Sequence, residues 1–247
     1  MNSAAMSDEQ DATPRGDCRA CPHREDRLQK GRCQPGDACV GAPSGRQIAR
    51  FFKINPDLAE QYAGDRFWER RAIAARYLSV QRLRSMLDDP DEVVRRVLAY
   101  RLPVEALSML IDDPDREVRV TVADRLPPKQ LEQLVQDEDY LVRQYVAKRL
   151  NPGRLFRMLR DPDREVRKTV AARLPLESLG LMQDDAAPEI RRIVAERIEV
   201  DALAPLLQDS DWRVRLAACQ RAPRELLTPL RNDPDEDVRA LVRERLG

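Results

Sequence analysis

Aromatic residues are scarce in this chain, at 4% of 247 residues, and glycine occurs only 9 times. Histidine occurs once, as His23, so a histidine-based catalytic arrangement is excluded anywhere distant from that position. No run approaches the roughly 18 apolar residues that cross a bilayer. The opening MNSAAMSDEQDATPRGD lacks the apolar core of a secretory signal. An excess of either charge is also missing: Lys plus Arg and Asp plus Glu both number 43, which excludes a globally basic or acidic chain. The expected setting is the cytoplasm. Thiols stay reduced there, so the five cysteines read as free thiols or metal ligands rather than disulfides.

What the sequence has in quantity is charge, 35% of residues, beside 42% hydrophobic residues, enough to bury a core. One interval organises both. The stretch DPDREVRKTVAARLP at 161–175 has a counterpart, DPDREVRVTVADRLP, at 113–127, and a register of 24 holds along the chain. Val94, Val118, Val142, Val166, Ile190, Val214 and Val238 form one apolar column. Leu98, Val122, Val146, Val170, Val194, Ala218 and Val242 lie four residues on, followed by a small-residue column that runs from Ala99 to Ala195 and ends in Cys219. A further column contains Leu102, Leu126, Leu150, Leu174, Ile198, Ala222 and Leu246, and Leu107, Leu131, Leu155, Leu179, Leu203 and Leu227 open a second apolar pair.

Offsets of 0, 4, 5 and 8 put Val166, Val170, Ala171 and Leu174 along one side of an α-helix, and the alternation in twos that a strand needs is absent. Asp161 followed by Pro162 suits the entrance, since Asp caps free backbone N–H groups and proline needs no donor in the first turn. Pro175 supplies the exit. Only LESLGLMQ, residues 176 to 183, remains before the next unit, and the spacing of three between Leu179 and Met182 suits a short 3₁₀ segment. Such a unit cannot bury its apolar side alone, so about eight of them from Asp65 onward should stack into a solenoid with one continuous core. The first, FWERRAIAARYLS, is degenerate, and NPDLAEQYAG before it reads as a partial further unit. The units at Asp65, Asp137, Asp185 and Asp209 lack the Asp-Pro start, which leaves their entrances undefined.

Two arginine columns share the register. Arg71, Arg95, Arg119, Arg143, Arg167, Arg191, Arg215 and Arg239 fall at the edge of the buried sector, where each guanidinium needs a partner. The Asp column from Asp65 to Asp233 offers bidentate acceptors in the same or the adjacent unit, so the expectation is a structural ladder rather than a ligand-binding row. The second column, Arg101 to Arg245, sits in the last helical turn, where it complements exposed carbonyls and is solvated. Left unpaired on a concave surface, such arginines would instead track nucleic-acid phosphates. Cys219, in the small column, reads as a packed thiol, and Trp68, Trp212 and the tyrosines as packing residues.

Four cysteines fall within CRACPHREDRLQKGRCQPGDAC, residues 18 to 39, before the repeats begin. Cys18 and Cys21 can converge on one metal centre from a short turn, and the 11 residues that follow can loop to bring Cys33 and Cys39 to its other side. Zinc and an iron–sulfur cluster both remain open on the residues alone. The second pair is spaced more widely than in zinc fingers, and nearby arginines would offset a cluster's charge. His23 is an alternative ligand, its simpler reading being a solvated surface histidine.

The 24-residue unit together with this four-cysteine preface resembles the leucine-rich repeat variant iron–sulfur proteins of nitrogen-fixing bacteria, over residues 18 to 247. The resemblance implies an all-α fold, a right-handed superhelical solenoid of alternating α and 3₁₀ helices headed by a small cluster domain. It also implies a [4Fe-4S] cluster with Cys18, Cys21, Cys33 and Cys39 as ligands. HEAT repeats are a second resemblance, through the Asp, Val-Arg and Ala text of each unit, although their units carry two complete α-helices. The expected organisation is a flexible N-terminus at 1–17, the cluster domain at 18–45, a junction or partial capping repeat at 46–64, and repeats over 65–247. The expected function is a non-enzymatic cluster protein without membrane contact whose scaffold binds a macromolecular partner, a protein, in response to redox state. Alternatives are an electron carrier, a redox enzyme component, a zinc-binding interaction protein and a HEAT-like nucleic-acid-binding module.

Overall fold

The structure, a computed structural model, describes residues 13–247, so most of the flexible N-terminus expected at 1–17 lies outside the described residues. The described chain is all-α: α1 (Gly45–Ile54), α2 (Trp68–Ala74), α3 (Val80–Arg84), α4 (Glu92–Arg101), α5 (Arg116–Arg125), α6 (Tyr140–Arg149), α7 (Arg164–Arg173), α8 (Pro188–Arg197), α9 (Trp212–Arg221) and α10 (Glu236–Leu246). Short 3₁₀ segments alternate with them, such as Val104–Leu110, Pro152–Met158 and Leu176–Met182. No strand occurs among the described residues, where Gln34 and Ala38 form an isolated bridge. The chain divides into two compact units, one running to Val122 and one from Ala123.

In the second unit α6 to α10 pack each on the next. Their contact is built from the columns: Val142, Val166, Ile190, Val214 and Val238 are fully buried, as are Val146, Val170, Val194, Ala218 and Val242. The small column of Ala147, Ala171, Ala195 and Cys219 lets neighbouring helices approach, and Leu131, Leu155, Leu179, Leu203 and Leu227 fill the core from the 3₁₀ side. Each such aliphatic side chain contributes about 1.5–3 kcal/mol by leaving water. After Leu174 the proline-led segment turns tightly, with Ser178 N–H donating to Pro175 O at 3.0 Å, and buries Leu179 and Met182 as their spacing predicts.

The helix entrance differs from the expectation by two residues. Asp163, not Asp161, caps α7: its Oδ1 accepts from the N–H groups of Glu165 at 2.8 Å and Val166 at 3.3 Å. Pro162 therefore precedes the helix instead of opening it. Asp91, Asp139, Asp211 and Asp235 cap their helices in the same way, so the units without Asp-Pro at 137 and 209 lose nothing. In the unit at 185, Ala187 offers no side-chain cap and Pro188 occupies the first turn.

Freed from capping, the first Asp of the units at 89, 113, 161, 185, 209 and 233 receives the ladder arginine. Arg143 Nε and Nη2 donate to the two carboxylate oxygens of Asp161 at 2.8 and 3.0 Å, while Nη1 donates to Asp137 O at 2.7 Å. Arg167–Asp185, Arg191–Asp209 and Arg215–Asp233 repeat this in the second unit, and Arg71–Asp89 and Arg95–Asp113 in the first. Arg167 is the internal tie that its column implied. Hydrogen bonding to Asp185 holds its guanidinium above its ordinary value. The Arg215 hydrogen bonds hold the Asp233 carboxyl below the usual range. At Asp209 burial pushes the carboxyl up, but the hydrogen bonds from Arg191 and the Asp211 N–H, with the charges of Arg191 and Arg215, together outweigh it and leave the group low.

The second arginine column is a correction. It is not a solvated row at its own helix ends. Arg173 Nη1 reaches back to Ala147 O at 2.6 Å and Leu150 O at 3.0 Å, at the C-terminus of the preceding helix. Arg149 does the same to Ala123 O and Leu126 O, Arg221 to Ala195 O, and Arg197 and Arg245 to Ala171 O and Cys219 O. Successive repeats are thus tied at both ends, forward by carboxylate pairing and backward by carbonyl capping.

In the first unit α1 followed by the 3₁₀ segment Pro56–Tyr62 reproduces the alternation, so NPDLAEQYAG completes a repeat-like pair. The degenerate repeat after it has a shortened α2 that tightens into a 3₁₀ turn at Ala75–Tyr77, and α3, capped by Ser79, takes the place of a 3₁₀ segment.

Candidate metal centre

The cysteine segment is assembled on α1. Cys39 N–H donates to Gln47 O at 3.2 Å, Gln47 Nε2 to Pro14 O at 2.7 Å, and Asn55 Nδ2 to Arg32 O at 2.8 Å. Arg50 on α1 pairs with Asp37. Gly31 and Gly36 take φ of 67° and 85°, a region open to glycine at little steric cost, and turn the chain on either side of Cys33. Ahead of Cys33, a single π-helical turn at Arg24–Leu28 is tied to the 3₁₀ segment by Arg27, whose Nη2 donates to Asp57 at 2.6 Å.

This folding brings Cys18, Cys21, Cys33 and Cys39 to the lining of one cavity, and none is in a disulfide. Cys33 and Cys39 are buried, while Cys18 and Cys21 are half-buried at the outer side. Burial pushes the Cys33 thiol up to about 11, helped by the negative charges that Cys39, Cys21 and Cys18 would carry. Burial raises Cys18 too, again with help from Cys39 and Cys21 and against the pull of Arg24. Thiols that oppose one another's ionisation are relieved by a cationic centre placed between them. Gly16 closes one wall: a Cβ there would lie 2.9 Å from Cys39 Sγ and 2.9 Å from the Gly41 backbone.

Four free thiols lining one cavity are a donor set that suits either zinc or an iron–sulfur cluster. Zinc draws its thiolates to within about 2.3 Å of a single point, whereas a four-iron cluster takes a cysteine at each iron and spreads them apart.

His23 is not a solvated surface residue. It is buried, its Nε2 lies 2.8 Å from the Tyr62 hydroxyl and its Nδ1 3.5 Å from Asp26, so the nitrogen with the shorter contact is committed elsewhere. Its ring stands against Phe51 and Tyr62. Burial pushes the Tyr62 hydroxyl up to about 12, with the charge of a Cys21 thiolate adding to it.

Three contributors escaped the motif reading: Gly16, Gln47 and Arg70. Arg70 stands where later repeats carry the first valine column; its Nε donates to Val40 O at 2.7 Å and its Nη1 lies 3.3 Å from Asp65. Gln47 stands 24 residues before Arg71, in the ladder register, but donates backward to Pro14. Extending the register upstream of Asp65 would have singled out Gln47. Cys219 is fully buried and burial pushes its thiol up to about 11, as a packed structural thiol should be. Trp68 is more exposed than a packing role implies, at 37%.

Comparison with known proteins decides the family. A model described as "LRV protein FeS4 cluster" matches residues 15–61, one described as leucine-rich repeat variant matches 116–139, and one described as HEAT repeat matches 200–221. A solved structure, described as a leucine-rich repeat variant with a novel repetitive structural motif, is 61% identical, covers 95% of this chain and 100% of its own, and aligns with a TM-score of 0.90. The chain belongs to the leucine-rich repeat variant family. A Rhodobacter capsulatus relative, described as an uncharacterized 27.7 kDa protein in the nifB 3' region, is 39% identical over 85 residues, a match spanning 34% of each protein. The segment matched at 15–61 contains all four cysteines and α1. No helix among the described residues is long and apolar enough to cross a membrane.

Proposed function

We propose that Cys18, Cys21, Cys33 and Cys39 each ligate one iron of a [4Fe-4S] cluster, and that the repeats form a non-enzymatic scaffold for a protein partner whose binding follows the cluster's redox state. The observation that carries this is the convergence of four free thiols on one cavity whose wall is bonded to the first repeat by Arg70. Bound there, a cluster supplies a reversible one-electron couple. The chain's own residues do the rest. Gly16 and the turns at Gly31 and Gly36 set the positions of the thiols, and the buried Cys33 and Cys39 keep water from one side. A shift of the loop after Cys39 is transmitted by Val40 to Arg70, whose Nη1 donates to Asp65 and whose guanidinium lies over the Phe67 ring.

A protein partner is favoured over nucleic acid because the arginines that would meet phosphates are used internally, in carboxylate pairs and carbonyl caps. The half-buried Cys18 and Cys21 favour electron transfer as a second reading, since an electron leaves most readily from the least covered side. Reduced cysteines of this kind suit the cytoplasm. The test is anaerobic purification followed by iron and sulfide analysis. About four of each per chain is the expected result, and a colourless protein with zinc and no sulfide would overturn the reading.

A further inference from the structure

The 3₁₀ side of the second unit carries a segregation of charge that the repeat pattern does not require. From Tyr140 to Arg160 there is no acidic residue, and from Leu174 to Ile190 and again from Ile198 to Trp212 there is no basic one. The exposed side chains on this side follow suit. Arg154, Arg157 and Arg160 stand at one end, with the single carboxylate of Glu132 shared by Arg157 at 2.7 Å and Arg154 at 3.4 Å. Glu177, Asp184, Glu199 and Asp201 stand exposed at the other.

Exposed apolar side chains stand among both sets: Phe156, 55% exposed, between Arg154 and Arg157; Leu176 and Leu181, 44% and 68% exposed, in the acidic stretch with Glu177 and Asp184; and Val200, 38% exposed, between Glu199 and Asp201. Phe156 and Leu181 are neighbours by register: Arg157 reaches Glu132, and 24 residues on the same two positions hold Leu181 and Phe156. An apolar pair thus replaces an ion pair of the preceding repeat. Large apolar side chains left uncovered together mark a contact surface.

We propose that this face joins two copies of the chain across a two-fold axis, with Phe156 and Leu181 of each at the centre. A cationic part and an anionic part that adjoin at Phe156 and Leu181 make a surface complementary to itself when reversed. A two-fold axis supplies that reversal, laying the arginine end of one copy against the carboxylate end of the other. A partner of a single charge would match only half of it.

Sedimentation velocity on the full chain tests this, at protein concentrations from about 1 to 200 μM and at salt from about 50 to 500 mM. A dimer that forms with concentration and weakens with salt is expected. Leu181→Glu and Phe156→Glu alter exposed positions, so folding, checked by circular dichroism, is retained while dimerisation weakens by about thirtyfold. Glu177→Lys with Glu199→Lys, and separately Arg154→Glu with Arg160→Glu, each abolish self-association, and mixing the two variants restores a dimer. A wild-type chain monomeric throughout, which would leave the face to a different protein, overturns the proposal. So does a dimer indifferent to Leu181→Glu, or a mixture that associates no better than its components.

Discussion

The repeats and the cysteine segment are held together by opposite strategies. In the repeats every tie recurs: Arg143 binds Asp161, Arg167 binds Asp185, Arg191 binds Asp209 and Arg215 binds Asp233, all with the same geometry. In the cysteine segment the ties are each made once, by Gln47 to Pro14, Asn55 to Arg32, Arg50 to Asp37 and Arg70 to Val40. Gln47 makes the contrast concrete, because it occupies the ladder register yet is turned to a local purpose. Repetition spreads the cost of damage over many equivalent contacts, while a set of unique contacts concentrates it on the site.

Substitutions can break that contrast or sharpen it. The largest loss is expected from emptying the repeat core: Leu155→Ala, at a fully buried position, should cost about 3 kcal/mol in urea unfolding. Next is Arg143→Ala, which leaves the buried Asp161 carboxylate without its guanidinium, its bond from the Asp163 N–H remaining, and should cost about 2–3 kcal/mol. Adding Asp161→Ala should then cost less than the single changes summed, because a shared pair is lost only once. Arg213, whose side chain is 62% exposed, should be replaceable by Ala with a change within about 0.5 kcal/mol.

Acid should act on the same ladder. Asp233 and Asp209 have folded values below their unfolded ones. Their contribution is therefore complete above the unfolded value of about 3.9 and is lost as pH falls through the lower folded values. A thermal melt followed from pH 7 to pH 2 should fall below about pH 4, and these two groups should contribute no change between about pH 5 and 8. Asp163→Ala removes one cap and should cost about 1 kcal/mol.

The smallest effect on repeat stability should come from the site itself. Gly16→Ala puts a Cβ 2.9 Å from Cys39 Sγ. It should lower bound iron while the unfolding of the repeats changes by less than about 0.5 kcal/mol.

Legibility in the sequence follows the same division. A column repeated seven or eight times averages out local exceptions, so periodicity alone identifies Val166, Val170, Leu174 and Leu179 as core and Arg167 as a tie. Asp161 and Asp163 cannot be told apart by type, because either carboxylate can cap a helix or accept a guanidinium. Only the position of the first helical turn separates the roles. The reach of Arg173 to the preceding helix depends on how far apart neighbouring repeats lie, which periodicity does not encode. The four cysteines declare themselves by number and spacing. Their supports do not, since Gly16, Arg70 and the burial of His23 against Tyr62 arise from contacts made once.

Five cysteines divide the labour between them, four lining the cavity and one packing the repeats. The most direct test of that division is iron and acid-labile sulfide content, measured anaerobically, for the five single Cys→Ser variants. Cys18→Ser, Cys21→Ser, Cys33→Ser and Cys39→Ser should each lose the full cluster, while Cys219→Ser, altered at a buried packing position, should retain it. Full iron and sulfide in any of the first four, or their loss in Cys219→Ser with the fold intact, would contradict it.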